Sequence, residues 1–290
     1  MMFETPAPAI GTASAYALPL AWFDPSHEPK VTCAKCQLRE TCLSGGTPPE
    51  DLERVEGIVY VRRSVKRGKC LFRAGDEFKS IYAIRNGFFK TTLADAEGRE
   101  QVTGFFMSGE LLGIDGLGNG YCESNAIALE DSEVCMMPYA LIEKVARDVP
   151  SLQRRLHTVL AREIVRNQGI MLLLGSMNAD ERLATFLLNL SMRYARSGVA
   201  ASDFVLRMKR DEIGSYLGLR LETVSRVFSS FQRGGMIEVL QREIRIVDSA
   251  ALERVLSTRE TPLRQPCERR PAALPRRLPV AAGQLLGATG

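Results

Sequence analysis

The sequence predicts an α+β chain: a block of short antiparallel strands, then one long amphipathic helix, then a small winged helix-turn-helix. Three patterns carry this. Up to about residue 138, apolar runs (80–84, 87–93, 101–105, 133–137) alternate with turns centred on Gly68, Gly75, Gly87, Gly98 and Gly109. From Pro150 the residues Leu152, Leu156, Leu160, Ile164, Ile170, Met171 and Leu174 recur at helical steps. From Asp211 the order is helix, tight turn at Gly218, helix, then a hairpin.

Taken in order, the Ala- and Pro-rich residues 1–30 read as a disordered arm. They lack the basic start and unbroken apolar run of a secretory signal, and Pro6, Pro8 and Pro19 break any helix there. No window is long and apolar enough to span a bilayer, so no membrane partner and a cytoplasmic location are expected. A cysteine loop (31–46) follows, closed by Gly45 and Gly46. Pro49 opens a short helix with Leu52, Val55 and Ile58 on one face. The strand domain (47–149) reads as a sandwich or barrel-like roll, with Asp95–Gly98 as a hairpin tip.

Ser151 is the expected cap of the long helix (150–177). Its apolar stripe needs a cover, which a second copy supplies, so a homodimer is expected. Asn167 is then a polar position in the seam or a solvated amide. Asn178-Ala-Asp-Glu181 has the form of a capping box that restarts the chain as a helix ending at Gly198. The winged domain (178–252) continues through a strand at 204–208, helices 211–217 and 221–231, a stop at Gly234-Gly235 and a hairpin. The Arg- and Pro-rich remainder (253–290) reads as a disordered tail.

Two stretches carry chemistry. Cys33, Cys36 and Cys42, spaced two and then five residues apart among polar neighbours, fit one soft metal centre that needs a fourth ligand. Spacing alone leaves iron–sulfur and zinc open. Ordinary core cysteine is the competing reading, and seven cysteines in a chain of 290 residues make a disulfide framework unattractive. A thiol oxidoreductase on Cys33-x-x-Cys36 is disfavoured because no strand and helix flank the motif, and no nucleophile–base set accompanies the two histidines, so no enzyme is expected.

The second stretch is the helix from Leu221. Glu222, Ser225 and Arg226 share its polar face and would enter a major groove, where Arg reads guanine, Glu cytosine and Ser thymine or backbone. A surface ion pair between Glu222 and Arg226 is the alternative. Lys209, Arg210 and Arg220, with Arg207, Arg233, Arg242 and Arg245, would contact phosphate. Overall charge does not announce DNA: 38 basic against 34 acidic residues leave only +4.

The chain resembles the Crp/Fnr regulators, specifically the oxygen-responsive branch named for fumarate and nitrate reduction, from about Cys33 to Val247. The likeness rests on Cys-x2-Cys-x5-Cys, Leu71 to Asp76, Tyr82 to Arg85, Gly109-Glu110-Leu111, Asn178 to Leu183, Tyr216 to Leu219 and Glu222-Thr-Val-Ser-Arg226. It implies a cyclic-nucleotide-binding-type β-roll, a long dimerisation helix and a C-terminal winged helix-turn-helix. It also implies a [4Fe–4S] cluster, converted to [2Fe–2S] by oxygen, held by Cys33, Cys36, Cys42 and, after Ala128 to Val134, Cys135. Cys70 and Cys122 are then structural, and Cys267 in the tail is irrelevant. Glu123 stands in the phosphate-binding loop, so no cyclic nucleotide is expected. Leu221 and Ser225 imply inverted TTGAT-like half-sites, bound by a dimer that activates or represses anaerobic genes through RNA polymerase. Many members carry an acidic residue where Asn167 stands, so oxygen control of association would be looser here. A zinc-stabilised regulator without redox sensing would use the same four thiolates.

Overall fold

The structure, a computed structural model, describes residues 33, 36–59, 61–196, 198 and 200–257. The expected arm at 1–30, His27 and Cys267 lie outside them.

Helix α1 (Pro49–Glu56) starts with proline at its first turn and acidic Glu50 and Asp51 beside the positive helix end. Eight strands follow: β1 (Val61–Val65), β2 (Cys70–Phe72), β3 (Ser80–Asn86), β4 (Phe88–Ala94), β5 (Glu100–Met107), β6 (Leu111–Leu112), β7 (Asn125–Ala128) and β8 (Ser132–Pro138). They form two antiparallel four-stranded sheets, in the orders β1-β8-β3-β6 and β2-β7-β4-β5. The period-two alternation of side chains divides the core. Ile84, Leu112 and Val134 face inward with Phe72, Phe89 and Cys122, between the sheets. Ile81, Ala83, Leu111 and Met137 face outward, under α1, the cysteine loop and helix α2 (Tyr139–Asp148). Asp95 caps the β4–β5 turn by accepting from the backbone N–H of Glu97 and Arg99, and Gly98 has φ 77° there.

Helix α3 (Pro150–Ser176) begins with proline in its first turn rather than with a serine cap. Ser151 lies inside the helix, its Oγ buried without a partner among the described residues, so the expected cap is corrected: Val149 is the N-cap, with no side-chain cap bond, and Pro150 takes the first helical position. Leu152 and Leu156 bury against the outer face of the roll. Farther along, Ile164 is 59% exposed and Met171 72%.

Helix α4 (Ala179–Arg196) opens on the expected box. The Asn178 side chain accepts from the Glu181 N–H at 3.0 Å and the buried Glu181 carboxylate accepts from the Asn178 N–H at 2.7 Å. Glu181→Ala is expected to lower unfolding free energy by about 1–2 kcal/mol, read as a lower urea midpoint at constant slope. Then come β9 (Asp203–Val205), α5 (Arg210–Leu217), α6 (Leu221–Arg233), β10 (Ile237–Leu240), β11 (Glu243–Ile246) and α7 (Ser249–Ser257). The strand expected at 204–208 is shorter because Leu206 and Met208 leave the sheet to pack into the helical core. The disordered tail expected from 253 is also corrected. Helix α7 continues to Ser257, anchored by the buried Leu252, and residues 258–290 lie outside the described residues.

The winged region and the roll share one core. Phe88, Val102 and Phe105 of the roll pack with Phe186, Leu187, Ile213 and Phe228, and the Phe105, Phe186 and Tyr216 rings meet tilted or edge-on at 5.1–6.0 Å. Polar contacts cross the same seam. Lys90 pairs with Glu212 at 2.8 Å, Val102 N–H donates to Ser215 Oγ, and Arg193 forks onto Glu110 while also donating to Phe105 O.

Candidate thiol centre and nucleic-acid interface

The cysteine loop is a series of tight turns. Backbone bonds from Cys36 to Cys33 O, Arg39 to Cys36 O and Cys42 to Leu38 O wind it on itself. That winding puts Cys33 and Cys42 against the outer face of the roll. Cys135 arrives from the other side, in the middle of β8, paired with Arg62 of β1 and Ala83 of β3. Because side chains alternate along a strand, Cys135 shares the outward face with Met137, while Val134 and Cys122 belong to the interior. The face of the sheet therefore separates Cys135 from Cys122, the cysteine that the resemblance reads as structural.

Electrostatics link the four thiols. Burial first, then Cys42, Glu56, Cys135 and Cys36, push the Cys33 thiol up to about 12. Burial, with Cys42 and Cys36, raises Cys135 to about 11, against the opposing pull of Arg62 and Arg85. Burial also raises Cys42, while the backbone N–H groups of Leu43 and Ser44 and the charge of Arg155 act on its sulfur in the opposite sense. Cys33, Cys42 and Cys135, each raised by burial and by neighbouring thiols, form a set whose thiolate form needs a soft cation. The surroundings supply amide donors and guanidinium charge for that form, and among the described residues Arg62 Nε is buried without a hydrogen-bond partner. The donor set fits a sulfur-ligated centre. Among the described residues, no three His, Cys, Asp or Glu side chains already converge as ligands of one metal ion.

Cys122 lies elsewhere, raised to about 11 by burial and the carboxylates Asp115 and Asp76. Its loop is occupied by the chain's own acids. Ser124 donates from N–H and Oγ to Asp115 at 3.0 and 2.7 Å, and Asn119 donates to Glu123. Sequence spacing gave no signal for Arg62, Arg85 and Arg155, since long basic residues at scattered positions become neighbours only through the fold.

At the other end, Gly218 at φ 62° makes the turn between α5 and α6, and Leu219 N–H closes onto Gly214 O. A β-carbon at Gly214 would lie 2.6 Å from Leu219 O, so only glycine allows this crossing. Val224, Val227, Phe228 and Phe231 bury one side of α6, and Glu222, Ser225 and Arg226 lie exposed on the other. Among the described residues no ion pair joins Glu222 to Arg226. Lys209 and Arg220 are exposed at the starts of α5 and α6. Arg210 instead stacks on the Phe228 ring, 3.1 Å from its centroid, and burial brings its guanidinium down to about 10. Arg207 pairs with Glu130 of the roll, and Arg245 with Asp203 and Glu238, so these two spend their charge within the chain.

Comparison with known proteins agrees with both halves. Residues 62–148 match the family model described as a cyclic nucleotide-binding domain, and residues 181–255 the one described as a Crp-like helix-turn-helix domain. The chain is 44% identical to the transcriptional regulatory protein btr of Bordetella pertussis, across 77% of this chain and 93% of that protein. Identity is 42% with the transcriptional activator protein anr of Pseudomonas aeruginosa (77% and 92% covered). It is 38% with the fumarate and nitrate reduction regulatory protein of Escherichia coli K12 (77% and 89%). Among solved structures, FixK2 from Bradyrhizobium japonicum superposes with a TM-score of 0.62 at 29% identity, covering 67% of this chain and 96% of that one.

Proposed function

The chain belongs to the Crp/Fnr family of transcription regulators, and from that premise we propose that it is an oxygen-responsive, cluster-dependent regulator acting as a homodimer on DNA. The observation that supports the reading is that Cys33 and Cys42 of the loop share one cluster with Cys135 on the outer face of the roll, with Cys36 close enough for its charge to act on Cys33 and Cys135. When bound there, a [4Fe–4S] cluster supplies an oxygen-labile cross-link between the loop and β8. Everything else is work for the chain's own residues. Arg62 and Arg85 offset thiolate charge beside Cys135, and Leu43 and Ser44 N–H groups stabilise the Cys42 thiolate. Leu152 and Leu156 seat the start of α3 on that same face, so the order of the loop and the placement of α3 are coupled.

Two copies pairing along the exposed half of α3 would bring two α6 helices to successive major grooves, about 34–36 Å apart. Arg226 then reads a guanine, with Glu222 and Ser225 on neighbouring bases, while Lys209 and Arg220 hold phosphate. Arg226→Ala is expected to cost about 1–3 kcal/mol per half-site at one guanine position. Lys209→Ala should weaken all sequences alike and flatten the salt dependence, as measured by anisotropy titrations against a half-site library. Equal loss on every sequence for Arg226→Ala would remove its base-reading role. The inverted TTGAT-like half-site and contact with RNA polymerase belong to the same proposal.

The carboxylates Asp115 and Glu123 in the Ser124 loop argue against a nucleotide phosphate there, and cyclic AMP is expected to leave the melting temperature unchanged. A dose-dependent rise would sink that assignment. The decisive test of the whole reading is an anaerobic absorption spectrum with iron and zinc analysis, repeated after admitting air. Iron–sulfur absorption that bleaches supports the proposal. Colourless protein carrying zinc replaces it with a structural metal regulator.

A further inference from the structure

We infer that Arg155 of α3 is the positioning residue through which the state of the thiol loop reaches the pairing helix, an inference that rests on the thiol reading above. Its guanidinium leaves the first turns of α3 and forks onto the loop, Nε donating to Cys42 O at 3.0 Å and Nη2 to Glu40 O at 2.7 Å. Cys42 is itself one of the four thiols, so a shift in where its sulfur is held moves the carbonyl on which Arg155 closes. The loop is shaped for this contact. A β-carbon on Gly45 would stand 2.7 Å from Glu40 O and 2.9 Å from Arg155 Nη2, so only glycine lets the guanidinium and that carbonyl meet.

The helix side is equally specific. On the flanking positions Leu152 and Leu156 are buried among Cys33 and Leu43, and Leu160 packs partly into the same cluster. Past that point α3 exposes Ile164 and Met171. Arg155 therefore sits on the fixed half of a helix whose free half is the seam. A planar fork that satisfies two carbonyls transmits a direction as well as a charge, which a lysine ammonium cannot do. Loss of either acceptor position tilts or frees the start of α3, and the seam beyond it moves with the same rigid rod.

The test compares full-length wild type, Arg155→Gln and Arg155→Lys. Dimer dissociation constants are measured by anaerobic sedimentation with the cluster reconstituted and after chelator stripping, alongside iron content and absorption per chain. The expected result is unchanged iron loading in both variants, with the cluster-dependent change in the dimer constant reduced by about tenfold or more. An undiminished change in Arg155→Gln overturns the inference. Loss of iron loading overturns it too, by making Arg155 a support of the loop alone, and a Lys variant equal to wild type overturns the role of the fork. If wild type itself takes up no iron, the thiol reading fails separately. Hydrogen exchange on the apo proteins then decides: Arg155→Gln must speed exchange both at 40–47 and at 150–160, and acceleration confined to the loop overturns the link.

Discussion

Cys135→Ala is expected to reduce iron from about four atoms per chain to near zero in anaerobically reconstituted protein, whereas Cys122→Ala keeps full loading. The contrast is sharp because the two residues differ in which face of the roll they occupy. Cys135 lies on the outward face, among the residues that also receive Cys33 and Cys42, and its proton affinity responds to Cys42 and Cys36. Cys122 is packed inside with Leu71, Phe72 and Phe89, where its charged neighbours are Asp76 and Asp115 rather than any thiol. For Cys122 to serve as a ligand it would have to leave the roll core for the opposite face of the sheet. Three thiolates cannot close a four-ligand centre, so the Cys135 variant should lose oxygen-dependent DNA binding together with its colour. Iron analysis and anaerobic absorption decide between them. Equal loss in the two variants, or loss in Cys122→Ala alone, would reject Cys135 as the fourth ligand.

Much of this architecture was legible in the sequence where one physical rule dominated. Short apolar runs between glycine turns marked β3, β4, β5 and β8, because each of these strands buries side chains on both of its faces. The box at Asn178 and Glu181 and the turn at Gly218 were legible because their chemistry is local. Strand β1 was missed since Val61-Arg-Arg-Ser-Val65 lies at a sheet edge with mostly exposed side chains and no alternating signal. Helix α2 was missed because Pro138 reads as an ending, although here it fixes the backbone just ahead of a new helix. The site shows the same division. The loop thiols announce themselves by spacing, but their company of Arg62, Arg85 and Arg155 is assembled by sheet register and helix packing, and no spacing rule encodes that. Arg210 was read as a phosphate contact from charge alone. The structure instead spends much of its surface on the Phe228 ring, because a guanidinium stacks well on an aromatic face.

The largest effect on assembly is expected from Ile164→Glu. Along α3 the positions Leu160, Ile164, Asn167, Met171 and Leu174 follow four-three spacing, the repeat of a two-helix seam. Their burial changes along the helix in a way propensity does not explain. Leu160 is partly covered by the roll, Ile164 and Met171 are 59% and 72% exposed, and Leu174 is covered again near α5. Apolar side chains at the middle of a helix otherwise well packed at both ends are what a partner helix would cover. A glutamate at 164 would place two carboxylates face to face in the paired seam, where like-charge repulsion and desolvation both oppose association. The dimer dissociation constant should rise by about a hundredfold or more, with the folded monomer retained because Ile164 contributes nothing to the core. DNA affinity should fall in parallel on a two-half-site duplex but not on a single half-site, since one α6 helix still reads its groove. Asn167→Leu is the opposing change: removing the amide from the seam should tighten pairing and leave it less dependent on the state of the thiols. Sedimentation equilibrium and anisotropy on both duplexes test the pair of variants together. An Ile164→Glu protein that still sediments as a dimer of wild-type strength would place the interface on some other surface.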